Sequence, residues 1–170
     1  MRFFVRFCWT ISLIGFLYNL FTTYGSLQPT VGIHFGETIL HIPRTSYFFF
    51  FLVFFLVLNI TLYLFSKVFK DLPKSFFLVP FSAYWTQNMD VRKAANQILE
   101  NWCWAIAATA NYFLMYWMLL IESNYHFEGA SISAVNWFYV PGYLMLASLI
   151  LPLLRLMIKN PNLLAQAERD

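Results

Sequence analysis

Imidazole and carboxylate groups are the side chains best able to hold a metal or move a proton, and here all three histidines and three of the eight acidic residues fall in two short stretches. His34, Glu37 and His41 occupy one, and Glu122, His126 and Glu128 occupy the other. Glu122 and His126 are four apart, the spacing of one helix face if a helix extends that far. Such a donor set suits a divalent transition metal such as zinc. The spacing matches no established metal motif, however, so no metal is assigned. His34, His41, Glu122 and His126 are the residues that would supply ligands if one bound.

A second group of polar residues interrupts otherwise apolar runs: Asn19, Asn59 and Asn111. An amide surrounded by lipid is costly unless bonded, so these residues either hold helices together or line a polar path. Cys8 and Cys103 lie near the same end of their runs and read as free, packed thiols. No histidine falls inside an apolar run, as bis-histidine haem ligation would need. Ser-His-Asp, His-Glu-x-x-His, Walker and dinucleotide signatures are also missing from the sequence. The residues therefore argue for no catalytic centre and no cofactor.

The elements that must position these groups follow from composition. Hydrophobic residues make up 60% of the 170 and charged residues 11%, against about 45–50% and about 25% in soluble domains. Twenty Phe, ten Tyr and six Trp exceed what so small a soluble core could hide. The net charge of +3 is too small to argue for nucleic acid. About 20 apolar residues in a helix cross the hydrocarbon core, and four segments reach that length: 7–24, 47–65, 102–121 and 137–158. The expected fold is all-α: one transmembrane domain over residues 1–170, with four spans in an antiparallel bundle crossing near 20°. The first span could pass for a cleaved signal peptide, but its length and its bulky Phe and Tyr favour retention. Pro141 falls in the first turn of the fourth span, and Pro152 in its interior should kink it.

Lys and Arg set the orientation. Arg2, Arg6, Lys67, Lys70, Lys74, Arg92, Lys93, Arg155, Lys159 and Arg169 share one side, and Arg44 alone takes the other. The positive-inside rule then puts both termini in the cytoplasm. The outer loops are 25–46, a turn-rich cap with Gly25, Pro29, Gly32, Gly36 and Pro43, and 122–136. The inner loop, 66–101, contains Phe76 to Phe81, too short to span and expected as an interfacial or shallow re-entrant segment. Asn88 or Asp90 should cap a helix that runs on into the third span.

The stretch Leu27-Gln28-Pro29-Thr30-Val31-Gly32-Ile33-His34-Phe35-Gly36, followed by an apolar span, resembles a bacterial membrane family of unknown function that includes the SdpI-type toxin-immunity proteins. That family has Pro-x-x-x-x-His-Phe or His-Trp, then a Gly-containing turn and a basic residue. Pro29, His34, Phe35 and Arg44 take those places. Leu72-Pro73, Tyr84-Trp85, Arg92-Lys93 and Trp102 resemble the family's inner connection, so the likeness covers about residues 20 to 125. Gly36-Glu37-Thr38 departs from the family, where an Asn or Asp with a later Trp is usual. The resemblance implies a bacterial inner-membrane protein of this topology, protection against a membrane-active toxin or signalling in some members, and no catalytic residues.

The expected function is non-enzymatic. The outer loops, around His34, Phe35 and Glu37, would recognise a partner, either a peptide toxin or another membrane protein, or the chain would pack as an accessory subunit. Membrane lipid is the other expected partner. The alternative is a small carrier or channel using Asn59 and Asn111 near the bilayer midplane. A metal-dependent enzyme at the outer histidines is a third reading.

Overall fold

In lipid no water bonds the peptide groups, so an apolar chain satisfies them internally by forming helix. The computed structural model describes residues 2–35, 38–73, 76–77, 79–126 and 139–158. It contains α1 (Arg2–Ser26), β1 (Thr30–Phe35), β2 (Thr38–Pro43), α2 (Arg44–Asp71), α3 (Ser82–Trp85), α4 (Met89–His126) and α5 (Tyr139–Met157). Four of these helices, α1, α2, α4 and α5, are long and apolar enough to cross a membrane. The chain is an all-α, multi-pass integral membrane protein.

The first three long helices run past the apolar windows that mark them in the sequence, because hydrogen bonding does not stop where the hydrocarbon ends. The 38-residue α4 shows this most clearly. Asn88 opens it: its Oδ1 accepts from the backbone N–H groups of Asp90 and Val91, both at 3.0 Å. These are N–H groups of the first turn that have no partner within the helix. From there α4 continues unbroken through the third span, as expected. Residues 137 and 138, at the predicted start of the fourth span, lie outside the described residues. Most of the 122–136 loop lies outside them too. Pro141 is in the first turn of α5, and Pro152 is accommodated in its interior.

The helix α4 is the centre of the molecule. It packs along α1, α2 and α5, and touches α3 and β1, whereas α1 and α2 meet each other only sparingly. Successive spans are antiparallel, but α1 and α4 run side by side in the same direction. Arg6 meets Glu100 at one end of that pair and Thr23 meets Glu122 at the other. Their close approach rests on small residues. Gly15 faces Met115, and Ala107, Ala108 and Ala110 are buried on α4.

Two apolar cores result. One, near the hairpin, gathers Phe16, Leu20, Leu27, Val31, Tyr47, Phe51, Phe55 and Met118. On α2 its members recur every four residues, so they line one helix face. Phe16 and Phe55 stack with ring centroids 4.2 Å apart. The other, at the end where Arg6, Arg92 and Arg155 lie, gathers Phe77, Trp85, Val91, Ala95, Leu99 and Leu156. The large apolar side chains left exposed on the helices, such as Phe50, Val57 and Leu151, face the lipid.

The 25–46 loop, expected as an ordered turn-rich cap, contains a β-hairpin followed directly by helix. Antiparallel pairing runs from Thr30 opposite Pro43 to Phe35 opposite Thr38. Positions 36 and 37, between the strands, lie outside the described residues.

Candidate functional site

Two regions bring together the polar residues singled out in the sequence. The first lies between the two cores. Asn59 on α2 and Asn111 on α4 form a reciprocal amide pair, with Nδ2 of each donating to Oδ1 of the other at 2.9 and 3.2 Å. The remaining donors are also used. Asn59 Nδ2 donates to the Phe55 carbonyl at 2.9 Å, and Asn111 Nδ2 donates to Ser12 Oγ at 3.0 Å. Trp9 Nε1 donates to Asn59 Oδ1 at 3.0 Å, and Ser12 Oγ donates to the Trp9 carbonyl at 2.7 Å. Asn111 and Ser12 are fully buried and Asn59 nearly so. Every amide N–H is therefore bonded inside the protein, and the pair joins three helices at one depth.

Asn19, nearer the hairpin, makes long contacts to the Met115 carbonyl (3.4 Å) and Met118 Sδ (3.9 Å). On α4 the chain of polar contacts to α1 begins with Glu100, which sequence reasoning placed outside the spans. Glu100 is 2% exposed, its carboxylate accepts from Arg6 Nη2 at 2.6 Å, and the Arg6 guanidinium lies over the Trp104 ring at 5.8 Å. A signal for it existed. Glu100, Asn111 and Glu122 are spaced by eleven residues, close to three helical turns, so all three face α1. Across the next interface, Thr109 and Ser148 share a hydrogen bond of 2.9 Å that ties α5 to α4.

The second region is the hairpin and its root. Val31 is fully buried in the nearby core, and its cross-strand neighbour Ile42 packs against that core, so one face of the ribbon is pinned. Arg44 locks the base. Its backbone N–H donates to the Pro29 carbonyl at 2.9 Å, its guanidinium donates to the Leu27 carbonyl at 3.0 Å, and it lies 4.6 Å from the Tyr24 ring centroid. This explains a basic residue on the side otherwise poor in them: its charge is held by a carbonyl and an aromatic face. Further along β2, Leu40 and His41 are exposed.

Of the proposed recognition residues, His34 and Phe35 lie on β1 and their side chains fall outside what the structure describes, as does Glu37 altogether. The same is true of the His126 side chain. Among the described residues no three His, Cys, Asp or Glu side chains converge as metal ligands. Glu122 instead accepts from Thr23 Oγ1 at 3.1 Å and Ser26 Oγ at 2.5 Å, one hydroxyl to each oxygen. Cys8 and Cys103 are free thiols. The chain matches no protein-family model, no curated protein and no solved structure.

Proposed function

We propose that this chain is a non-enzymatic inner-membrane protein, with both termini cytoplasmic, that recognises a partner through its hairpin. The observation that carries this reading is the contrast between the two regions. The buried amides spend their hydrogen bonds on one another, whereas the hairpin is fixed at its root and projects two strands with Leu40 and His41 exposed. Among the described residues the sheet has two strands, so each keeps an open edge. An extended segment of a partner, from a peptide toxin or another membrane subunit, could add to such an edge and take specificity from side chains at alternate positions. The residues that resemble the SdpI-type family support the same site, since Pro29, His34, Phe35 and Arg44 lie in the hairpin or at its root. The gathering of Arg6, Lys67, Arg92, Lys93 and Arg155 at the opposite end supports the orientation.

The test is a mild-detergent pull-down of the tagged full-length protein, compared with the triple variant His34→Ala, Phe35→Ala, Glu37→Ala. Loss of a stoichiometric partner with retained expression is the expected result. A partner that stays bound to the triple variant would move recognition to the lipid-facing helices. A solitary wild-type protein would sink the reading.

A further inference from the structure

We propose that Phe76 and Phe81, on the connection between α2 and α4, and Met89, the first residue of α4, form an anchor that lies in the headgroup–acyl boundary of an anionic leaflet. All three are large, apolar and exposed, at 66%, 49% and 77%. Facing water, such a cluster would be unfavourable; at a membrane boundary it is what an interfacial segment displays.

The connection cannot lift away from the bundle, which fixes the level of the anchor. Phe77 and Trp85 are buried in the core at this end, and Trp85 Nε1 donates to the Leu156 carbonyl at 2.9 Å. That carbonyl belongs to the last turn of α5, where helix geometry leaves it without a partner. The Arg92 guanidinium donates to the Leu72 carbonyl and lies 5.9 Å from the Phe77 ring centroid. The chain between α2 and α4 is thus stitched to the ends of α2, α4 and α5 alike. Those ends mark the boundary itself. Lys67 lies in the last turns of α2, with its Nζ over the Tyr63 ring at 5.2 Å, and Arg155 lies in the last turn of α5.

The charge at this end points to lipid as the occupant. Lys67, Arg92 and Arg155 all lie at this end of the bundle, and basic residues beside a membrane boundary attract anionic headgroups. The anchor stands apart from the hairpin at the other end of the molecule, and a depth measurement addresses it alone.

The test uses full-length protein carrying Cys8→Ser and Cys103→Ala, with a nitroxide placed in turn at Phe76→Cys, Phe81→Cys and Met89→Cys. Leu151→Cys on α5 and His41→Cys on the hairpin serve as lipid and water references. In bilayers of phosphatidylcholine with phosphatidylglycerol, oxygen should relax the three labels more than a water-soluble nickel chelate does. Their depth should be about 5–10 Å below the phosphates, shallower than position 151. Relaxation dominated by nickel, as at position 41, would overturn the anchor, and so would a depth matching position 151. In phosphatidylcholine alone the labels should sit shallower, and an unchanged depth would overturn the choice of an anionic leaflet. If the label at 81 prevents folding, positions 76 and 89 carry the decision.

Discussion

A carboxamide has two donors and one acceptor oxygen to satisfy, and in hydrocarbon no solvent makes up a shortfall. Asn111 meets the demand by bonding both Asn59 and Ser12. Asn111→Leu should therefore cost more than one contact, because it strands an Asn59 N–H as well as removing its own. A loss of about 1–2 kcal/mol is expected from reversible unfolding in micelles, with Asn59→Leu largely non-additive to it. The Arg6–Glu100 pair is a different case. Its carboxylate is buried, but the Arg6 side chain is 43% exposed, so screening holds the coupling to about 1.5 kcal/mol. A double-mutant cycle with Glu100→Gln and Arg6→Gln measures it, and zero coupling would show that the pair merely shares a place. The amides were legible in the sequence because they interrupt apolar runs. Glu100 was hidden by the opposite circumstance: it stands at the edge of a run, beside Asn101, where a hydropathy window treats any charge as the boundary.

At the scale of the element, the same-direction pairing of α1 and α4 depends on one absent side chain. A Cβ on Gly15 would lie 3.3 Å from Met115 Cε, the mobile end of a flexible residue. Gly15→Ala should thus be nearly neutral. Gly15→Leu should force the helices apart and cost about 1–3 kcal/mol, seen as a lower midpoint in the same unfolding series. The start of α4 is as specific: Asn88→Ala removes the acceptor for two backbone N–H groups and should cost about 1 kcal/mol. The four spans could be read from length and hydropathy, and the cap could be narrowed to Asn88 or Asp90, of which the structure selects Asn88. The hairpin could not, although its signal was present. Thr30, Val31 and Ile33 and then Thr38, Ile39 and Ile42 are β-branched, with two residues between the strands. Counting Gly and Pro as loop formers concealed that pattern. Partner choice has no local signature of this kind, since an exposed edge is made of backbone that every residue possesses.

For the whole molecule, the spans do not contribute equally. α4 holds α1, α2 and α5, while α5 is fastened by the Thr109–Ser148 bond at its middle and by Trp85 at its end. Trp85→Phe keeps the ring in its core and removes only the donor to the Leu156 carbonyl. Hydrogen exchange at the C-terminal turns of α5 should then speed up while α1 and α2 are unchanged; uniform acceleration would mean that the spans unfold as one unit. The centrality of α4 also has a consequence for how the protein is made. Synthesis delivers α1 and α2 first, carrying Ser12 and Asn59 into the bilayer before Asn111 has been translated. Until the third span emerges, those groups lack the partner that joins them. The first two helices must wait, shielded by the insertion machinery or by each other's less suitable contacts. Nascent chains stalled before residue 100 should crosslink to that machinery through α2, and chains stalled after α4 has cleared it should not.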